Sequence, residues 1–255
     1  MAKKALITGA SSGIGRDIAR VLDRMGYELI LVARREERLK ALSNCLFGCH
    51  KIIAMDIGNA ENARKLYEET KNENIDILIN NAGFGVWGDF TQTSEEREVE
   101  MIRLNVEAMH VLFKCFLKDF KERNSGRILN VASLAAFAPG PYMAAYYSCK
   151  AYVLRLTQSV AYELAEAGSR VTVSALCPGP VSTEFNKVAG VRFSMKPLSS
   201  KYVARYAVKQ MFKGRTVIIP GTVGKLAAAA SKIVPSSMVC CVTAQIQKNK
   251  GGENP

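Results

Sequence analysis

The segment Tyr146-Tyr147-Ser148-Cys149-Lys150 sets a phenol and an ammonium four residues apart within a stretch of helical periodicity, Ala144 to Ala167. Side chains at that spacing share one face of a helix, so Tyr146 and Lys150 can act together, whereas Tyr147 has Ala151 at the same spacing. A phenol with a pKa of ~10 is a poor acid or base near neutrality, and a neighbouring ammonium favours the phenolate and lowers that value. Tyr146 can then exchange a proton with a substrate oxygen. Such a pair is common on helix surfaces, so it needs company. Ser133 supplies it at the end of the apolar run Ile128-Leu129-Asn130-Val131-Ala132, and Asn80-Asn81-Ala82-Gly83 ends another run.

A second kind of chemistry is suggested by Thr8-Gly9-Ala10-Ser11-Ser12-Gly13-Ile14-Gly15. Its glycines let the backbone turn sharply and approach a pyrophosphate at the positive end of the helix that follows. The spacing is GxxxGxG rather than GxGxxG, and a Gly-rich turn alone is equally compatible with tight packing. Its position between a first strand and a first helix favours a dinucleotide site. The second apolar run ends Val32-Ala33-Arg34-Arg35, without the acid that holds a free ribose 2′-hydroxyl. A guanidinium there can bind a 2′-phosphate through charge-assisted hydrogen bonds. Arg34, helped by Arg35, therefore indicates NADP(H), unless both are surface charges at a helix start. Asp56, just after the third run and before Ile57, is placed to accept a hydrogen bond from the adenine amino group.

The elements that must carry these groups alternate. Short apolar runs predict strands at Lys4–Thr8, Tyr27–Ala33, Ile52–Met55, Asp76–Asn80, Arg127–Ala132, Val171–Leu176 and Thr216–Ile219. Helical spacing follows at Ile14 to Leu22, Glu36 to Leu46, Ala60 to Asn74, Ser94 to Glu122, Ala144 to Ala167 and Ser200 to Phe212, with a Gly-rich loop around Gly83, Gly85 and Gly88. Strands read as continuous apolar runs are buried on both faces, which implies a parallel sheet covered by helices on each side. The expected fold class is α/β, a Rossmann-like doubly wound parallel sheet of about seven strands in a single domain over residues 1–247. A variable substrate lid is expected at about 184–213, a basic segment at 222–247 and a flexible tail at 248–255. Ligands of such folds bind at the carboxyl ends of the strands.

Composition narrows the function. The chain has 255 residues, 48% hydrophobic and 23% charged, which excludes disordered and fibrous classes. The seven cysteines are scattered without a CxxC pair, and the two histidines, His50 and His110, are isolated. Neither a disulfide framework nor a metal site is indicated, each histidine reads as structural or exposed, and a reducing cytoplasm is the expected location. The opening residues lack a signal peptide, so the mature chain is expected to start there, and no apolar run is long enough to cross a membrane.

The net charge of +12 is concentrated at one end: from Lys187 onward there are twelve lysines and arginines against one acid, Glu253. That asymmetry implies attraction to an anionic substrate, membrane surface or nucleic acid, or else a solvated face. The region carries no recognisable nucleic-acid motif and few aromatic residues, so no nucleic-acid partner is expected. Leu226, Ile233, Val234, Met238, Val239 and Ile246 alternate there with Lys225, Lys232, Lys248 and Lys250, which suggests a segment over the substrate cleft or a subunit interface, with peripheral contact to anionic membranes. The bland alternative is a helix covering the sheet edge.

The motifs TGASSGIG at 8–15, NNAG at 80–83, Asn105, Ser133, YxxxK at 146–150 and Pro178-Gly179-Pro180-Val181-Ser182-Thr183 together resemble the classical short-chain dehydrogenase/reductase family, NADP-dependent type. The likeness covers residues 4 to 185 in order. It implies that Tyr146 is the general acid/base, that Lys150 lowers its pKa and binds the nicotinamide ribose, and that Ser133 hydrogen-bonds the substrate oxygen. Asn105 would hold a water that relays protons from Lys150 to solvent; without its neighbours it reads as a polar residue satisfied in a helix kink. Gly9, Ser11, Ser12, Gly13, Ile14 and Gly15 would hold the cofactor phosphates. Arg34, Arg35, Asp56 and Ile57 would hold the adenosine. Asn81, Ala82 and Gly83 would line the cofactor, and Pro178, Gly179, Val181 and Thr183 would position the nicotinamide.

The resemblance therefore implies an NADP(H)-dependent oxidoreductase that interconverts a ketone and a secondary alcohol, on a hydrophobic or acyl-type carbonyl, as a homodimer or homotetramer. A hydroxysteroid or bile-acid dehydrogenase of the same family is the alternative, and a non-catalytic dinucleotide-binding regulatory protein is a further one. Phe185, Val188, Val191, Phe193 and Met195 among Lys187, Arg192 and Lys196 suit an apolar substrate with an anionic end, or ordinary amphipathic packing.

Overall fold

A computed structural model describes residues 3–185, 189–190, 197–231 and 233–248. Seven strands form one parallel sheet: β1 (Lys4–Thr8), β2 (Glu28–Ala33), β3 (Lys51–Ala54), β4 (Ile75–Asn80), β5 (Arg127–Val131), β6 (Thr172–Leu176) and, after a two-residue pair described below, β9 (Val217–Ile218). Their order is β3-β2-β1-β4-β5-β6-β9. Ala5, Leu6, Ile7, Ile77, Leu78 and Ile79 are all fully buried, because successive side chains of each central strand enter cores on opposite faces.

Helices α1 (Gly13–Arg24), α2 (Glu36–Ser43) and α7 (Ser200–Phe212) cover one face through Ile18, Leu22, Leu39, Val203, Ala207 and Met211. Helices α3 (Ala60–Thr70), α5 (Met109–Glu122) and α6 (Ala144–Glu166) cover the other through Leu66, Phe113, Phe116, Val153 and Leu154. Each set recurs at three- and four-residue spacing, so one apolar stripe per helix meets the sheet. The chain turns back on itself between β1 and β4, and the crevice at their carboxyl ends is where this fold accepts ligands.

The long helical region expected from Ser94 to Glu122 is α4 (Glu95–Ile102) and α5, joined by a π-helical turn at Arg103–Ala108. Strands β7 (Val181–Ser182) and β8 (Leu198–Ser199) pair with each other in a separate two-stranded sheet; at two residues each they carry no legible period. The basic segment folds as α8 (Thr222–Ala230) and α9 (Ser236–Lys248).

Within the expected lid at 184–213, residues 200–212 form the expected helix, α7, which packs on α1 with Val203, Ala204 and Ala207 fully buried. Lys248 is the last residue of α9 rather than the first of a tail. The lid residues Lys187, Val188, Val191, Arg192, Phe193, Met195 and Lys196, with Lys232, Lys250 and Glu253, lie outside the described residues.

His50 is structural. Its Nδ1 accepts the Leu29 N–H at 3.1 Å, which leaves Nε2 to donate to Asp23 at 3.0 Å, and Asp23 also accepts from Phe47 and Gly48. His110 pairs with the exposed Tyr152 hydroxyl. Among the described residues no cluster of His, Cys, Asp or Glu could hold a metal, and no helix is long and apolar enough to cross a membrane.

Candidate active site

A cleft of about 420 Å³ runs across the carboxyl ends of the strands. At one end lies the first turn. Gly9 and Gly13 adopt left-handed φ of 65° and 56°. A Cβ on Gly15 would lie 2.4 Å from Asn81 Nδ2 and 2.6 Å from the Gly9 carbonyl, so only glycine closes the turn. Asn81 braces it, donating from Nδ2 to the Thr8 and Gly9 carbonyls at 3.0 and 3.1 Å. The Thr8 hydroxyl, which sequence reasoning did not single out, accepts the N–H groups of Asn81 and Ala82. Asn81 therefore serves the cleft by fixing its wall.

The first N–H groups of α1 open onto this cleft. Its N-cap, Ser12, makes no side-chain capping bond, and no acid stands in the first turn. An uncapped positive helix end beside a glycine turn fits a pyrophosphate.

Beyond it, the exposed Arg34 guanidinium faces the Asp56 carboxylate at 3.8 Å. Asp56 also accepts the Gly58 N–H at 3.0 Å, and Ile57 is buried beside it. Arg35 is not a free helper: it donates to Ser11 Oγ and pairs with Glu184 at 3.0 Å, and Glu184 also binds Arg38. These two guanidinium groups hold the Glu184 carboxyl below its usual range. The Glu184 bridge ties the segment after β7 to α2 and was not legible in the sequence.

At the other end Tyr146 and Lys150 lie one turn apart on α6, both buried. A buried chain sets the register of that helix: Asn80 donates to Asn130 Oδ1 at 2.9 Å, and Asn130 to Thr157 Oγ1 at 3.0 Å. Ser133 follows β5, caps the short turn Leu134–Phe137 by accepting the Ala135 N–H, and lines the cleft together with Tyr146. Pro178 accepts the Leu134 N–H at 2.9 Å, joining the loop after β6 to the Ser133 turn. Thr183 stands against Gly13, and Gly179 against Leu134.

The electrostatics differ from the sequence expectation. Burial pushes the Tyr146 phenol above its ordinary value, and the Ser133 hydroxyl only partly opposes this. The same burial lowers Lys150 to about 8. Its ammonium donates to the Val131 carbonyl at 2.8 Å and lies 5.7 Å from the Tyr146 ring centre. Burial is thus the largest cause of the Tyr146 shift, and a phenol shifted upward keeps its proton at neutral pH.

Asn105 is buried in the π-helical turn, accepting the Phe84 N–H at 3.1 Å and donating to the Phe84 carbonyl at 2.8 Å. These two bonds use one donor and one acceptor of the amide and brace the Phe84 loop. Gly83 lies between Asn105 and Lys150. Phe84, Met143, Tyr147, Phe185 and Gln247 complete this end of the cleft; Phe185 was read as lid, while Gln247 comes from the far end of the chain. All the expected site residues except the packed Gly15 and the buried Asn105 line this one cleft.

Comparison with known proteins decides the family. Residues 3–191 match the model for short chain dehydrogenase. The chain belongs to the short-chain dehydrogenase family. It is thus an oxidoreductase with the Rossmann-type α/β fold of that family. It is 35% identical over 182 residues to the 3-oxoacyl-(acyl-carrier-protein) reductase FabG of Rickettsia prowazekii, covering 71% of this chain and 74% of that one. A short-chain dehydrogenase from Sphingobium yanoikuyae in complex with NADPH superposes with a TM-score of 0.81 at 30% identity, over 91% of this chain and 93% of the other. The bulky-bulky ketone specific alcohol dehydrogenase from Comamonas testosteroni superposes at 0.78 with 28% identity, over 91% and 93%.

Proposed function

We propose that this short-chain dehydrogenase is an NADP(H)-dependent reductase of apolar ketones, interconverting ketone and secondary alcohol. The observation that carries this reading is a buried Tyr146 that shares the cleft with Ser133, stands one helical turn from Lys150 and opens on the same cleft as the uncapped end of α1. Bound NADP(H) would supply or accept the hydride. In the reduction, Ser133 and Tyr146 hold the carbonyl oxygen, and Tyr146 gives it a proton as the alkoxide forms. Lys150 holds the nicotinamide ribose and, charged below about 8, stands beside the phenol as the next proton in line. Asn105 keeps the Phe84 loop against the cleft, and a water held at its remaining hydrogen-bonding positions would relay protons to solvent.

The glycine turn and α1 fit the pyrophosphate, and Arg34 fits a 2′-phosphate, which the Asp56 carboxylate beside it would otherwise have as its competitor. Asp56, Ile57, Ala82, Pro178, Gly179, Val181 and Thr183 line the same path. The NADPH complex of the Sphingobium relative supports the cofactor, and the acyl reductase likeness supports a hydrophobic or acyl-type carbonyl. A hydroxysteroid or bile-acid substrate is the second reading, favoured by the aromatic wall of Phe84, Tyr147 and Phe185. The intact Tyr146–Ser133–Lys150 set argues against a non-catalytic regulatory protein. A panel of ketones and alcohols read by NADPH absorbance tests the function; turnover of none of them would overturn it.

Arg34→Ala is expected to weaken NADPH binding roughly tenfold to a hundredfold, the worth of a charged hydrogen bond, and NADH binding far less. Titrations of both cofactors check this, and equal affinity of the unmutated protein for the two would refute the preference.

The partners follow from the surface. Val223, Leu226, Ile233, Met238, Val242 and Ile246 are exposed on or between α8 and α9, while the buried side chain of α9 is the polar Gln247. No acid occurs between Glu184 and Glu253. A second copy of this face would set lysine against lysine, so an anionic membrane surface is the complementary partner. Co-sedimentation should occur with vesicles containing anionic phospholipid and not with neutral ones, and should fall with salt. Binding to neither would leave only a solvated face. We also propose a homodimer or homotetramer built on other faces, read by light scattering. The free, unpaired cysteines among the described residues suit a reducing cytoplasm.

A further inference from the structure

Helix α9 is built inside out. Met238, Val242 and Ile246 point to solvent, and Gln247, 1% exposed, is its buried residue. Polar contacts seat it: Thr243 Oγ1 donates to the Pro139 carbonyl at 2.8 Å, and the Trp87 indole N–H donates to the Gln247 carbonyl at 3.1 Å. The Gln247 amide enters the cleft and donates from Nε2 to the Tyr147 hydroxyl. Its Oε1 is buried and has no hydrogen-bond partner among the described residues.

A spare amide oxygen in a buried site is costly to keep unless something fills its valence. Rotation about the last bond of the side chain can present either end of the amide to the cleft. The surroundings say where such a group would sit. The Tyr147 and Tyr146 rings are 6.3 Å apart and edge-to-face, so the amide and its phenol stand beside the acid rather than at a distant end. Tyr147 can lie there only because residue 140 is glycine: a Cβ on Gly140 would fall 2.2 Å from the Tyr147 ring. Phe84, Met143 and Phe185 supply apolar walls around the pair.

We propose that Gln247 and Tyr147 form a second polar anchor for the substrate, so that the preferred substrates are apolar ketones carrying a further hydroxyl or carbonyl group near the reacting one. This deepens the ketone-reductase reading and rests on it. The anchor is a specificity device: an apolar pocket discriminates weakly against an added hydroxyl, whereas a site built to hydrogen-bond one rejects the analogue that lacks it. Both groups of the pair can donate and accept, which suits a hydroxyl or a carbonyl equally.

The test uses the full chain with NADPH and matched apolar ketones with and without a hydroxyl close to the carbonyl, such as 2-octanone and 4-hydroxy-2-octanone, alongside cyclic ketones and their hydroxylated partners. The unmutated protein should favour the hydroxylated member of at least one pair in kcat/KM. Gln247→Leu and Tyr147→Phe should each reduce that preference roughly tenfold or more. Tyr147→Phe leaves the Trp87 bond that seats α9 in place, so it keeps the test valid should Gln247→Leu unseat the helix. Preference in no pair, or a preference that survives in Tyr147→Phe, would overturn the anchor while leaving the reductase intact. Oxidation of no NADPH by any ketone would instead overturn the reductase reading, and the anchor with it.

Discussion

Tyr146→Phe should lower ketone turnover by about 10²–10⁴-fold, the usual contribution of a positioned general acid, while NADPH still binds and the fold is kept. The phenol is buried against Ser133, and its loss removes the proton donor without opening a cavity. Tyr147→Phe should cost much less on a plain ketone, although the two rings share one chamber, because Tyr147 bonds Gln247 rather than Ser133. Steady-state rates with stopped-flow cofactor binding separate the two. Full turnover in Tyr146→Phe would mean that the acid is another group. Because burial raises the phenol, the acid stays loaded across neutral pH; the rate of reduction should be flat there and decline above about 8, where Lys150 gives up its proton.

Lys150→Met should trade activity for stability. Moving the ammonium out of water lowers Lys150 from 10.5 to about 8. Such a shift corresponds to roughly 3 kcal/mol of destabilisation below pH 8, part of which the hydrogen bond to Val131 already offsets. Methionine fills similar volume without the charge, so a gain of about 1–3 kcal/mol at neutral pH is expected, with turnover reduced at least about 10²-fold. The pH dependence is diagnostic. Between about 8 and 10.5 the unfolded chain keeps a proton that the folded chain has released, so stability rises with pH across that window and the full penalty stands below it. The advantage of the methionine variant over the unmutated protein should therefore shrink as pH passes from 8 to 10.5. Denaturant melts at a series of pH values check this, and a less stable variant at pH 7 would show that Lys150 is held by more than it costs.

Much of the site was readable because its geometry is local. A strand, a glycine turn and a helix place Gly9 to Gly15 within a few residues of one another, and a four-residue spacing on α6 aims Tyr146 and Lys150 the same way. Strand positions were legible for the same reason, since a continuous apolar run reports burial on both faces. The short strands β7 and β8 and the helices α8 and α9 were not, because two-residue strands have no period and α9 carries its apolar residues outward. Helix α7, within the expected lid, was legible at 200–212 because its apolar stripe recurs at helical spacing and fits the core.

The sequence by itself determined the fold class, through periodicity, and the spacing of the candidate acid/base pair and the glycine turn, while the rest of the expected cofactor path came from the family resemblance. Only the tertiary structure decided what those groups experience. Arg35 is paired with Glu184 across 149 residues and Gln247 with Tyr147 across 100, contacts that no spacing rule anticipates. The sign of the Tyr146 shift was decided in the same way. A neighbouring ammonium argues for a phenolate, but desolvation depends on everything packed around the ring, and in the folded chain burial is the larger effect.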